Sequence, residues 1–330
     1  MAHSFDFIAI GDTVTDAFIR LKEASVHCRL DHKQCEICMR FADKIPYEDV
    51  TIVPAVGNSA NASVAASRLG LSSALVSNVG DDYFGQECLD ALKAEGVATE
   101  FVKVNKGEKT NYHYVLWYEA DRTILIKLER YDYELPDIGE PKWIYLSSVG
   151  ENALLFHDQI AAYLEAHPSV KLAFQPGTYQ IKFGVEKLAK IYRRTDAFFC
   201  NREEAKRILR TDDEEPLKLL KGITSLGPKM VAITDGVNGA YAYDGTNAWY
   251  IPLYPDPKPP LQRTGAGDAF SSTFVAALIL GKSVAEALRW GPVNSMSVVQ
   301  RVGARAGLLT RSELEEYLTK APADYVPRSL

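Results

Sequence analysis

The feature that most constrains the fold is a rhythm that begins at Trp143. Short apolar runs at 144–147, 172–174, 197–200 and 230–234 alternate with helical segments at 152–166, 181–192, 202–209 and 216–226. Strand–helix alternation of this kind means βαβ units, a mostly parallel sheet and helices on both of its faces. Two further apolar strands, at 5–10 and 75–79, come before it. The stretch 102–127 breaks the rhythm. There Tyr112, Tyr114, Leu116 and Tyr118 alternate with His113, Val115 and Trp117, the period of a strand with two unlike faces. These early aromatic-rich strands predict a small separate sheet. At 330 residues the chain suits a single large domain, or one with a small appendage.

The chemistry concentrates in 261–281, LQRTGAGDAFSSTFVAALILG. Phe270, Phe274 and Leu278 are apolar and four apart, Ala269, Ala276 and Ala277 are small, and Gly281 stops the run. This is a buried helix entered through a glycine turn. Gly265 and Gly267 let the backbone bend tightly and approach a ligand closely. The first N–H groups of a helix have no intrahelical partner and favour an anion. Asp268 stands at the same place. A carboxylate is an odd grip for phosphate but a sensible base for a hydroxyl that attacks phosphate. On its own, Gly-Ala-Gly-Asp also fits a plain glycine turn with aspartate as N-cap.

In its surroundings, the run from Thr264 to Phe270, TGAGDAF, with the small-residue helix after it, resembles the second signature of the PfkB (ribokinase-like) family of sugar and nucleoside kinases. The resemblance extends from Ile8 to Ala304. It implies a ribokinase-like α/β fold: a three-layer α/β/α arrangement around a doubly wound, mostly parallel sheet, with a small β-sheet lid. The whole of 1–330 would be one kinase domain, with lid strands within 13–53 and 100–128. The implied activity is phosphoryl transfer from ATP, with magnesium, to an alcohol group. Asp268 would be the catalytic base, and the amides of Gly265, Ala266 and Gly267 an anion hole for the transferred group. Where the family usually has Asp-Thr ahead of this motif, the chain has Gln262 and Arg263. In many members that aspartate helps hold a monovalent cation, so the expectation here is that Arg263 supplies the positive charge instead.

Other stretches match in the family's order. The strand at 5–10 ends in Gly11-Asp12, and Asp16 follows. Carboxylates at the carboxyl end of a strand are placed to accept hydrogen bonds from sugar hydroxyls, although aspartate after glycine is also common in turns. The resemblance gives that role to Asp12 or Asp16, with Asp16 favoured. The run 54–70, PAVGNSANASVAASRLG, starts a small-residue helix at Asn58 or Ser59. It resembles the family's first signature: Asn61 matches its asparagine, Gly57 its second glycine, and Val56 stands at the first. Gly57, Asn58 and Asn61 would then contact substrate. Gly80 to Gly85 look like the family's Gly-x-Asp-x-x-Gly turn. Asn201-Arg-Glu-Glu204 is locally a capping box; the family's Asn-x-x-Glu motif adds nucleotide contact at Asn201 and an indirect magnesium role at Glu204. Thr234, Gly236 and Gly239 read as a turn leading into a hairpin, and resemble a Thr-x-Gly-x-x-Gly that borders the nucleotide. Asn294 either lines the adenine pocket or is a satisfied buried polar residue.

Two local patterns point elsewhere. Cys28, Cys35 and Cys38, with His32, could close a tetrahedral zinc site, but no second CxxC supports it and Cys35–Cys38 also fits an ordinary strand. Gly281-Lys282-Ser283 looks like a P-loop tail, yet it ends a helix instead of joining strand to helix.

A net charge of −6 argues against nucleic acid or an anionic membrane as partner, and no apolar run approaches a membrane span. Residues 1–7 lack the charged start and apolar stretch of a signal peptide, and five unevenly placed cysteines fit a reducing compartment, the cytoplasm. As acceptor, a free sugar comes first, since Asp12, Asp16, Asn58 and Asn61 suit hydroxyls. A nucleoside comes second, resting on the Tyr and Trp content of the lid. A sugar phosphate would need a cationic clamp, for which Arg263 is the candidate. The lid is expected to pair two copies into a homodimer. Gln262, Arg263 and Val56 keep open a regulator that binds nucleotide without turnover. An NAD-dependent dehydrogenase is disfavoured, because no G-x-G-x-x-G follows the first strand.

Overall fold

The computed structural model describes residues 4–28, 35–119 and 121–330. Its largest sheet runs in the order Arg328–Ser329, Ala248–Ile251, Ala240–Tyr243, Met230–Thr234, Ala197–Asn201, Lys171–Phe174, Trp143–Leu146, Phe7–Ile10, Ser73–Gly80, Val102–Asn105. From Met230–Thr234 to Val102–Asn105 every pairing is parallel. The other three strands continue the sheet antiparallel.

The period of two sends each central strand into two cores. Phe7, Ala9, Trp143, Tyr145, Ala197 and Phe199 join one, with the helices Asn58–Arg68, Ala266–Ile279 and Val284–Val298. Ile8, Ile10, Ile144, Leu146, Phe198 and Cys200 join the other, with Leu154–Ala166, Arg202–Leu209 and Pro216–Thr224. A strand buried on both faces has no position for a polar side chain, which is why these segments read as unbroken apolar runs.

Two elements differ from the sequence reading. The single helix expected at 181–192 is two, Thr178–Phe183 and Ala189–Arg194, because Gly184 takes φ 85° and ends the first. Val102–Asn105 pairs with Ser73–Gly80 at the edge of the large sheet and takes no part in the small one.

The small sheet has the order Tyr47–Val56, Val14–Leu21, Tyr112–Tyr118, Asp121–Leu125. Its register sets Asp16 beside His113, Phe18 beside Val115, and Trp117 beside Arg122. Phe18 and Val115 are buried, so this face turns to the body of the protein. The opposite face carries Val50, Ile52, Tyr114 and Leu125, all exposed. The sheet joins the body at Ala55 and Gly57, with φ of 54° and 110°. A Cβ on Gly57 would lie 2.7 Å from the Asp12 carbonyl oxygen. The sharp bends therefore sit on either side of Val56, which itself pairs as an ordinary strand residue with Val14.

A separate hairpin, Ser25–Cys28 with Cys35–Cys38, sets Cys28 opposite Cys35, and the two form a disulfide. This overturns the zinc expectation: a sulfur bonded to sulfur is no thiolate ligand. Cys38 is a free thiol, His32 lies outside the described residues, and no cluster of three or more metal-ligating side chains occurs among those described. Among the same residues no helix is long and apolar enough to cross a membrane.

Candidate active site

Asp268 lies in the first turn of Ala266–Ile279. The residue before that helix, Gly265, has φ 79°, and a Cβ there would lie 2.5 Å from the Ala304 Cβ. The helix packs against both Asn58–Arg68 and Val284–Val298. In Asn58–Arg68 the residues 59–66 are all buried and mostly small, so the two backbones come close. That approach brings two amides to the carboxylate. Asn58 Nδ2 donates to Asp268 Oδ1 at 2.8 Å, and Asn61 Nδ2 donates to Oδ2 at 2.8 Å. A third donor is Gln175 Nε2, 3.1 Å from Oδ1, just past the end of Lys171–Phe174. Gln175 is itself held, since Ser271 Oγ and the Tyr145 hydroxyl donate to its Oε1. Burial pushes the Asp268 pKa above the usual carboxylate range, and the three amide donors oppose that rise.

The amides of Gly265, Ala266 and Gly267 find no acceptor among the described residues. Gly265, Gly267 and Asp268 line a cavity of ≈310 Å³ together with Asn58 and Gln175. Asn201, Glu204 and Thr234 line it from the carboxyl ends of Ala197–Asn201 and Met230–Thr234. Arg263 and Arg122 complete the charged part of its wall. Asn201 and Glu204 form the expected capping box, each accepting the other's amide at 2.8–2.9 Å. Burial also pushes the Glu204 pKa up. Gly236 and Gly239 lie in the turn beyond Thr234, both at positive φ.

The remaining candidates separate by what they already bond. Asp12 accepts the Tyr133 hydroxyl on both oxygens, at 2.9 and 3.0 Å, and Tyr133 in turn takes the Gly150 amide. Both of its oxygens thus already accept from the protein. Asp16 sits on the body-facing side of the small sheet, and its buried Oδ1 makes no hydrogen bond but lies 3.4 Å from His113 Nδ1. Asn61 Oδ1 is likewise buried and unpartnered. Asn294 is fully buried and satisfied at both ends: Nδ2 donates to Thr273 Oγ1 at 2.8 Å, and Oδ1 accepts the Leu309 amide at 2.9 Å. It holds helices together and does not reach the cavity. Gln262 turns inward, accepting the Thr264 amide at 2.7 Å and donating to the Arg301 carbonyl at 2.9 Å and the Gly303 carbonyl at 3.3 Å. Gln175 and Arg122 were not among the residues singled out from sequence.

The sequence model described as pfkB family carbohydrate kinase matches residues 36–311. The chain belongs to this family. Among the family's kinases, the ribokinase of Bacillus subtilis is 29% identical to it over 273 residues, covering 80% of this chain and 87% of that one. The 5-dehydro-2-deoxygluconokinase of Halalkalibacterium halodurans is 25% identical, covering 83% and 88%. The fold is that of Arabidopsis thaliana ribokinase, solved with ribose and ATP, at TM-score 0.78 and 19% identity over 96% of this chain and 99% of that one. It is equally that of the Methanocaldococcus jannaschii nucleoside kinase, at TM-score 0.75 and 19% identity over 97% and 100%. A related structure from Escherichia coli holds ATP and Mg²⁺.

In this kinase fold the Asp12–Tyr133 pair makes stability depend on pH. Burial pushes the Asp12 pKa up to about 7, outweighing the bond from Tyr133. The unfolded chain releases that proton near pH ~4. Between those values the folded state binds the extra proton, so stability falls as pH rises and levels off above about 7. Asp12→Asn, which mimics the protonated acid, should flatten the decline. Urea midpoints at pH 5 and pH 8 for both proteins measure it; an equal drop in the two would remove Asp12 as the cause.

Proposed function

We propose that this protein transfers the γ-phosphoryl group of ATP to a hydroxyl of a sugar, with Asp268 as the general base. The acceptor oxygen attacks the γ-phosphorus, the bond to the bridging β–γ oxygen breaks, ADP leaves, and the hydroxyl proton passes to Asp268. The observation that carries this reading is the setting of one carboxylate. Asp268 faces a cavity beside uncommitted amides, and only neutral amides hold it, so it is oriented without being stripped of basicity. The amides of Gly265, Ala266 and Gly267 are the anion hole for the transferred group. Magnesium, when bound, offsets charge on the phosphate oxygens; Glu204, a half-buried carboxylate on the same cavity with one oxygen already on the Asn201 amide, fits an indirect role in holding it. Asn201 and Thr234 border the nucleotide.

Asp16 and Asn61, each with a buried Oδ1 that makes no hydrogen bond, suit sugar hydroxyls together with Asn58 and the Gly57 backbone. A nucleoside comes second: the Tyr114 face of the small sheet points away from the body, and Trp117 is the lid aromatic of that strand on the body-facing side. We read 1–330 as one kinase domain, with the small sheet as its lid and Arg122 as the lid's reach into the cavity. The exposed apolar face of that lid, with Val50, Ile52, Tyr114 and Leu125, fits a homodimer contact. Light scattering should give twice the chain mass, and Ile52→Lys half of that; a monomeric parent protein at micromolar concentration would end the dimer proposal.

Asp268→Asn should lower kcat by about 10²–10⁴, the usual weight of a general base, with the KM for ATP changed little. ADP release with a sugar panel reads this out, and near-normal turnover would refute the role. The monovalent cation is dispensable in this reading. Gln262 occupies the Arg301 and Gly303 carbonyls with its own amide, and Arg263 brings the positive charge to the cavity. Rates in potassium and in a large organic cation should agree; a strong potassium requirement would contradict it.

A further inference from the structure

We infer that the acceptor carries an anionic group, a carboxylate or a phosphate, and that Arg122 is the residue that selects it. The inference rests on the kinase reading above and narrows its substrate class.

Arg122 lies on Asp121–Leu125, at the edge of the small sheet, and lines the same cavity as Asp268 and Asn58. It is half-buried. Its Nε is shut off from solvent and has no hydrogen-bond partner, and the guanidinium forms no ion pair among the described residues. The other buried or partly buried arginines are engaged by the protein. Three are ion-paired: Arg68 reaches Glu95 at 2.7 Å, Arg194 reaches Asp196 at 3.1 Å, and Arg202 reaches Asp235 at 3.0 Å. Arg289 and Arg305 form no ion pair among the described residues but donate to the Leu318 and Pro54 carbonyls. Arg122 alone of these six lines the Asp268 cavity. Burial pushes its pKa down, and the fields of Asp121 and Asp16 only partly offset that.

An unpaired guanidinium in a half-buried site is unfavourable, and a carboxylate or phosphate satisfies it through two parallel hydrogen bonds. A neutral hydroxyl accepts only one, with no charge to match. ATP also brings an anion, but the transferred phosphoryl group already has a cation of its own: Arg263, two residues before Gly265 and lining the cavity from the body. Arg122 comes instead from the sheet that carries Asp16, on the same face as it. The ligand that touches this sheet is the acceptor, so the anion facing Arg122 belongs to the acceptor.

A sugar acid and a sugar phosphate share this chemistry, and matched probes separate them: ribose, ribonate and ribose 5-phosphate, and glucose, gluconate and glucose 6-phosphate. Each is assayed with the full chain for ADP release with ATP and Mg²⁺, and for calorimetric binding without nucleotide. One anionic member should exceed its neutral parent in both affinity and kcat/KM by roughly tenfold or more, and which member it is decides between carboxylate and phosphate. Arg122→Gln should lower kcat/KM for that member by about 10- to 10²-fold, the weight of a charged hydrogen-bonded pair, and for the neutral parent by less. Arg122→Lys, which keeps the charge but not the fork, should fall between. Thermal midpoints matching the parent protein establish that the variants are folded. No anionic preference in either assay overturns the inference, as does an Arg122→Gln variant whose main defect is a raised KM for ATP. If a neutral sugar alone is phosphorylated, the kinase reading stands and this inference fails. If an anionic sugar binds through Arg122 but no acceptor releases ADP, the kinase reading fails and the anion site stands.

Discussion

The structure depends on holding one carboxylate out of water at the start of a buried helix. An ionised group in such a place is costly unless its oxygens are hydrogen-bonded. Asp268 meets that condition with three side-chain amides from two different elements, Asn58 and Asn61 on one helix and Gln175 at the end of a strand. The choice of neutral donors matters. A lysine or arginine in the same positions would also satisfy the oxygens, but its charge would hold the proton affinity down. Amides fix the orientation and leave the basicity that burial raises.

The rest of the fold makes that convergence possible. Phe7–Ile10 is flanked on one side by Ser73–Gly80 and on the other by Trp143–Leu146, so the strand order reverses beside it. In an open parallel sheet the carboxyl ends beside such a reversal form a crevice that nothing in the sheet itself fills. Gln175, Asn201 and Thr234 stand at the carboxyl ends of the three parallel strands next beyond Trp143–Leu146, and all three reach the same cavity. Asn58 lines it from another side, and the small residues that follow let its helix pack close against Ala266–Ile279. Larger ones would push the two helices apart and carry Asn58 and Asn61 out of reach of the aspartate.

The large sheet was legible in the sequence because period and burial agree there. Met230–Thr234 and Arg202–Leu209 fall where the apolar runs and the capping box put them. The break within 181–192 was not legible, because a lone glycine in a helical pattern is usually tolerated and only its φ reveals a stop. The Asp268 region was legible because glycines, aspartate and a small-residue helix stand next to one another in sequence. Gln175 was invisible for the opposite reason. It belongs to no local pattern, and only its place after a parallel strand could have singled it out. Asp12 and Asn294 show the limit from the other side: each looked like a ligand residue, and each spends its polar atoms on the protein. The thiols fail as metal ligands for a similar reason, since Cys28 and Cys35 face one another across a hairpin that spacing alone did not disclose.

The small sheet shows how one strand period serves two ends at once. Along Tyr112–Tyr118 the odd-numbered side chains His113, Val115 and Trp117 share a face with Asp16, Phe18 and Arg122, while Tyr114 shares the other with Ile52 and Leu125. The first face combines a buried apolar patch with a carboxylate, an imidazole and a guanidinium that each keep a buried atom unpartnered. Buried polar atoms are almost always satisfied in a finished structure. Of the three, only Arg122 lines the cavity beside Asp268, and its exception is the one that the proposed acceptor answers. In the proposed reading that molecule brings a charged hydrogen-bond acceptor to Arg122. Slipping the strand by one residue would exchange the faces, turning these groups to solvent and the exposed apolar row inward. Register in this sheet is therefore tied to recognition as well as to burial.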